Sequence, residues 1–429
     1  MQITEQRLTN GNYGHCLHNT QCFSPNDEWL VYDTRNDDTQ IGSTGSIEIV
    51  NTRSGSVKEI YRTIKQSVFG PGVGAASFSP VCDTVVFIHG ISNADQTRPY
   101  AFNRRTAVAI DINKPYEPIF LDARHITEPF TPGALRGGTH AHLWSGDGQW
   151  LSFTYNDYVM EELSTQPFKR TVGVMIPGYE VKVDHDHTME NHSGKMFSFI
   201  AANLSPSPQW GSDEIDIAFD EGWIGVNGYT RADQTHQNRA IAFQGKVYDL
   251  NGKSKAELFV IDLPDVFTKS ALSGIQGTIH TPPQVPHDIT QRRLTYTTNG
   301  IEGPRHWLRT TPDGMVIGFL NKDHHGIVQL FGISPNGGST KQLTYVENPI
   351  QGPFNFSPDG KYAAFLSNNN VFITDIATGK SEQVTSHDHA SKAIGSVSWS
   401  NKGDMITYNR YITNAHGTYL QIFLVRISW

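Results

Sequence analysis

The sequence predicts an all-β chain folded as a seven-bladed β-propeller, and three observations lead there. A hairpin unit recurs seven times along the 429 residues. Most copies are followed by a third strand and several by a short fourth. The last copy lacks its fourth strand, and the N-terminus can supply one.

The unit is clearest at residues 137–157, GGTHAHLWSGDGQWLSFTYND. An apolar run ends at Trp144, Ser-Gly-Asp-Gly makes a tight turn, and Trp150 to Tyr155 reads as a second strand. Asp-Gly supplies the positive φ values that short hairpin loops need. The alternation on either side suits strands with one buried face. Other copies are CFSPNDEWLVYDTR (22–35), SFSPVCDTVVFIHG (77–90), LRTTPDGMVIGFLNKD (308–323), NFSPDGKYAAFLSNN (355–369) and VSWSNKGDMITYNR (397–410). A degenerate fourth copy is placed at MFSFIAANLSPSP, 196–208.

Third strands are expected at 46–53, 106–113, 257–264, 328–335 and 371–379, with fourth strands at KEIYRT, RRLTY, KQLTY and EQVTS. A ring of four-stranded antiparallel blades leaves no long sheet edge exposed. Its connections are short and local. Beyond LQIFLVRI (420–427) no further strand follows, so ITEQRLT (3–9) is expected to complete that blade. Residues 1–429 then form one domain with inserts at about 157–170 and 207–239. The first is expected to hold a short helix or flap. The second contains SDEIDIAFDEGW, with Ser212 as the expected helix N-cap. Such inserts can cover a propeller's central opening.

Composition agrees: 39 Gly, 22 Pro and 11% aromatic residues suit many short strands, and 18% charged residues argue against long solvated helices. A net charge of −8 gives no footprint for nucleic acid or an anionic membrane. No apolar run is long enough to span a bilayer. MQITEQRLTNG does not read as a signal peptide. Cys16, Cys22 and Cys82 form no disulfide framework, and a cytoplasmic location with reduced thiols is expected.

The 18 histidines matter by position. Aligning the blades on Phe23, Phe78, Trp144, Thr310, Phe356 and Trp399 puts Asn19, Gly74, His140, His306, Gly352 and Gly395 four residues earlier. That offset starts the innermost strand, where side chains from different blades converge on the channel. His140, His142, His306, His18 and His15, with Gln351, are therefore expected to cluster at one mouth. His140 and His142, two residues apart on a strand, should share a face. Three or four imidazoles with a carbonyl oxygen suit Zn²⁺, Mn²⁺ or a similar ion. A single imidazole could equally transfer a proton near neutral pH, or each could simply bond a neighbouring strand. Arg136, Arg305 and Arg309 offer guanidinium forks to a carboxylate or phosphate, or pair with acids such as Glu302 and Asp313. Secondary clusters are His185, His187 and His192, and His387 with His389. No GxSxG elbow, Walker A loop, dinucleotide fingerprint or EF-hand is present.

The hairpins resemble the TolB-type propeller repeat. More specifically, TPGALRGGTHAHLWS (131–145), LSFTYNDYVMEEL (151–163), GSDEIDIAFDEGWIG (211–225), PRHWLRTTPDG (304–314) and GIVQLFGISPNGG (326–338) resemble the bacterial YidR-like family. That family supplies no reaction. A more distant similarity is to oligogalacturonate lyases, which implies a divalent ion, Mn²⁺ or Zn²⁺, held by histidines and a glutamine (here His140, His142, His306 and Gln351), and β-elimination on uronates. His142 or Arg136 would then remove the proton beside the carboxylate, with Arg305, Arg309, His18 and His15 binding substrate. The function expected is thus a metal-dependent enzyme acting on an acidic saccharide at the channel mouth. Its rival is a non-catalytic propeller binding a ligand or protein on its rim. A hydrolase with paired carboxylates is disfavoured, since no acid pair falls at matching blade positions.

Overall fold

Four of the seven blades open with the same turn chemistry. A Ser or Thr hydroxyl donates to Asp or Asn two residues on: Ser24 to Asn26 at 2.7 Å, Ser357 to Asp359 at 2.6 Å, and likewise Ser145 to Asp147 and Thr311 to Asp313. The same oxygen accepts the N–H that begins the next strand, from Trp29, Trp150, Val316 and Tyr362, at 2.9–3.1 Å. Gly148, Gly314 and Gly360 take the left-handed conformation that ends the turn. This explains why Ser-Pro-Asp-Gly is the recurring signature. Ser357→Ala is expected to cost about 1 kcal/mol in urea unfolding, since one hydroxyl serves two partners.

The computed structural model describes residues 2–18, 20–37, 39–163, 168–184, 188–388 and 391–428. Its strands form seven blades around an axis. Blade 1 has Trp29–Asp33, Ser46–Asn51 and Val57–Arg62, with an inner edge reduced to bridges such as Phe23 to Leu30. Blades 2 and 3 begin at Val73–Phe78 and Gly137–Trp144, and blade 4 at Ala218–Trp223. Blades 5, 6 and 7 begin at Arg309–Thr310, Asn355–Phe356 and Ala393–Trp399. Gln2–Arg7 pairs antiparallel with residues 423–428, so the N-terminal strand completes blade 7 as expected. Glu5 on that strand accepts hydrogen bonds from Tyr408 and from His387 Nε2 at 2.8 Å.

The core lies between blades. Val172, Val174 and Phe199 of blade 3 pack on Ile241, Phe243 and Phe259 of blade 4, all buried. Each such aromatic contributes roughly 2–3 kcal/mol by leaving water.

Two expectations are corrected. Phe197–Ile200, placed in a fourth hairpin, is the outermost strand of blade 3, pairing with Gly173–Ile176. The acidic stretch from Ser212 caps no helix. Ser212 Oγ donates to Gln209 O in a turn, and residues 218–223 form the innermost strand of blade 4. Strand pairing overrode a helix-like start. Gly211 bonds Tyr248 O, so this insert packs on the 248–254 turn. The other insert holds a single π-helical turn, Val159–Leu163. No helix among the described residues is long and apolar enough to cross a membrane.

Candidate functional site

Three successive inner strands carry the same irregularity. Register shifts fall between Gly74 and Ser77, His140 and Leu143, and Phe219 and Gly222. Within them Ala75, Ala141 and Asp220 adopt φ values of 55°, 57° and 54°. A left-handed non-glycine residue costs roughly 1–2 kcal/mol, and bulges of this kind re-aim side chains. In blade 3, Ala141 and His142 together oppose Phe153, so His140 and His142 are not simple same-face neighbours. The same bulge sets Glu221 in blade 4 at the position His142 holds in blade 3, two residues before the aromatic.

His140 is 4% exposed and neither of its ring nitrogens has a partner among the described residues. His142 Nε2 lies 2.9 Å from Thr139 Oγ1, while Nδ1 has no partner among the described residues. His18 Nε2 also has no partner among the described residues, and the ring meets Trp307 edge-on. Burial pushes all three imidazoles well below their usual value, His142 to about 3, and nearby arginines add to this. They are neutral at pH 7. His18 and His140 each interact electrostatically with His142, so these three predicted residues do converge.

The other predicted residues make their direct contacts elsewhere. His306 bonds Pro304 O at 2.9 Å through Nδ1, and its Nε2 accepts the Leu320 N–H at 3.0 Å. His15 stacks on Tyr13 beside Leu420 O, and burial lowers it to about 4. Gln351 is exposed and its Oε1 accepts the Asn369 N–H at 2.7 Å. Arg136, expected as a base, is fully buried: it pairs with Asp157 at 2.8 Å and donates to the carbonyls of Thr278 and Thr281. Its fork is consumed in holding the blade 3 strands to the 278–281 loop. Arg305 pairs with Asp220 at 2.8 Å, not with Glu302. Arg309 donates to Asn355 at 2.8 Å, not to Asp313.

The proposed ligand set of His140, His142, His306 and Gln351 therefore does not assemble. Among the described residues, no three His, Cys, Asp or Glu side chains stand close enough to share an ion. His185, His187 and His389 lie outside the described residues. His192 Nε2 meets Thr106 Oγ1 at 3.0 Å, and His387 is taken by Glu5.

Sequence reasoning missed three residues. Arg105 is 6% exposed, yet no described carboxylate lies within ion-pair distance of it. Its guanidinium sits 4.3 Å from the Phe102 ring and 4.7 Å from that of Tyr100. Arg170, half-buried, lies 5.2 Å from the same Phe102 ring and donates through Nε to Asn156 Oδ1 at 3.3 Å. Phe102 itself is 55% exposed, so the pair opens to the surface. Burial lowers Arg105 to about 10, so it remains cationic at neutral pH. Glu221 is fully buried; Oε2 accepts from Thr154 at 2.7 Å, and Oε1 has no partner among the described residues. Burial, with Asp220 adding, pushes it up to about 7.

These features define a seven-bladed β-propeller with buried arginine and histidine side chains on and beside its inner strands. The family model described as "Protein of unknown function (DUF3748)" matches residues 72–191, and that of the "Dipeptidyl peptidase IV (DPP IV) N-terminal region" matches residues 319–411. The Uncharacterized protein YidR of Escherichia coli (strain K12) is 37% identical over 412 residues, covering 94% of each chain, and the chain belongs to the YidR family. Among solved structures, an oligogalacturonate lyase in complex with manganese matches with a TM-score of 0.56 at 11% identity, over 99% of this chain and 93% of that one. The β-propeller domain of the Trilobed protease from Pyrococcus furiosus, described with an open velcro topology, matches at 0.50 and 9% identity over 96% and 95%. Both likenesses establish the fold.

Proposed function

We propose that the channel mouth binds a small carboxylate-bearing ligand, of the acidic-saccharide class, and that the chain is an enzyme acting on it by proton abstraction. One observation carries this reading: a buried guanidinium, Arg105, has no described carboxylate partner and stands beside Arg170 and a histidine with two unpartnered nitrogens. An uncompensated buried charge costs several kcal/mol, and each unsatisfied buried polar group about 1–3 kcal/mol. An anionic ligand removes the first cost, and its hydroxyls the second. A fold neighbour that is an oligogalacturonate lyase makes uronates the first ligands to try.

In this reading Arg105 and Arg170 neutralise the uronate carboxylate, which acidifies the adjoining C–H. His140, neutral, accepts that proton. The carbon–oxygen bond at the neighbouring carbon breaks as the double bond forms, and the departing oxygen takes a proton from water. No step runs through a metal, because the expected ligands do not meet.

Calorimetry with trigalacturonate tests binding, and absorbance of the unsaturated uronate tests the reaction. Binding with turnover that His140→Gln lowers by at least about 100-fold supports the enzyme. Binding without turnover assigns the alternative, a non-catalytic receptor. Absence of binding removes the anion reading.

A further inference from the structure

We propose that the channel takes up its anion together with a proton, and that Glu221 carries the proton. This deepens the anion reading and rests on it.

The geometry leaves Glu221 among cations that form no ion pair with it. Asp220, its neighbour on the same strand, holds Arg305 through Nε at 3.0 Å and Nη2 at 2.8 Å. Arg309, from the inner strand of blade 5, gives its Nε to Asn355 and one terminal nitrogen to Leu308 O. Arg170 approaches from blade 3, where Thr154 supplies the hydroxyl on Oε2. No ion pair joins Glu221 to any of these, and Oε1 accepts nothing among the described residues. A fully buried carboxylate in that position gains little from ionising. Burial is the largest cause of its raised titration, to about 7, opposed by Thr154 and Arg305.

Arg170 and Arg305 interact electrostatically with both Glu221 and His140. An anion drawn to these arginines therefore competes with ionised Glu221 for the same field. The sign follows from linkage. A bound anion disfavours the Glu221 carboxylate and raises its pKa further. Affinity is then full below about pH 7 and falls as pH rises, by up to about tenfold per unit, until the bound-state pKa is passed. The proton comes from solvent, sits on the Glu221 carboxyl while the site is filled, and leaves with the anion. His18, His140 and His142 titrate far lower in the empty site, so they do not set this window.

Calorimetric titration of trigalacturonate between about pH 6 and about pH 9, repeated in buffers of different ionisation enthalpy, tests the proposal. A uronate carboxylate does not itself titrate there. Wild-type protein is expected to lose affinity with rising pH and to take up close to one proton per anion near pH 8. Glu221→Gln, which mimics the protonated acid, is expected to bind with a flat pH profile and without proton uptake. Thr154→Val removes the hydrogen bond that favours the carboxylate, so the fall in affinity should move to higher pH. An unchanged slope in Glu221→Gln, or wild-type binding without proton uptake, overturns the proton carrier while the anion site stands. No binding by wild type at any pH overturns the anion site itself. Should Glu221→Gln not fold, proton uptake by wild type and the shift in Thr154→Val decide the matter.

Discussion

Arg105→Met should raise the thermal stability of the ligand-free protein and, in the same molecule, weaken trigalacturonate binding by about 30-fold or more. The two effects have one cause. Arg105 is buried against the rings of Tyr100 and Phe102 with no described counter-ion. Methionine keeps the packing of the aliphatic stem and discards the desolvated charge, a change of the kind that stabilises by roughly 1–4 kcal/mol. The affinity lost is the energy the empty site had held in reserve. Differential scanning fluorimetry and calorimetry on the same preparation read both. A fall of several degrees with binding unchanged would make Arg105 a structural residue, and the anion site would lose its support.

Arg136→Met is expected to do the opposite. Here the guanidinium is matched: Asp157 lies 2.8 Å away, and both side chains are fully buried. Asp157 also accepts from Tyr155 Oη at 3.1 Å and from the Met160 N–H at 2.9 Å, which fixes the end of its strand to the π-helical turn. Removing Arg136 strands that carboxylate and orphans the carbonyls of Thr278 and Thr281. Breaking such a pair costs about 3–5 kcal/mol, read as a lowered urea midpoint with an unchanged m-value. Arg136→Met combined with Asp157→Asn should recover part of the loss. Equal destabilisation by single and double variants would mean the carbonyl contacts dominate. Catalytic loss in Arg136→Met at full stability would restore its place as a proton acceptor.

Much of the ring could be read from its turns. Ser357, Asp359 and Gly360 each have a chemical task in one tight loop, so their recurrence marked the blades. Blade 4 escaped because Leu204 to Pro208 mimics the Ser-Pro turn, while its true inner strand carries Asp220 and Glu221 and so imitates the acidic first turn of a helix. Trp223 was the available clue, since it occupies the place of Phe78 and Trp144. Of the site, His140, His142 and His18 were legible because all three lie at or near one offset in the repeat. His306 shares that offset but turns both nitrogens to its own backbone surroundings, a choice made by tertiary contact that spacing does not encode. Arg105 and Arg170 lie at the ends of connections between middle strands, where no repeat predicts direction.

Gln2–Arg7 has its hydrogen-bonding partner at residues 423–428. During synthesis the early segment must therefore wait, unpaired, until every blade has emerged. Only Ile3 among these six residues is apolar; Thr4, Glu5, Gln6 and Arg7 keep the waiting ribbon hydrated and discourage it from docking on a neighbouring chain. A bulky fusion ahead of Gln2 would burden the pairing that closes the circle of blades.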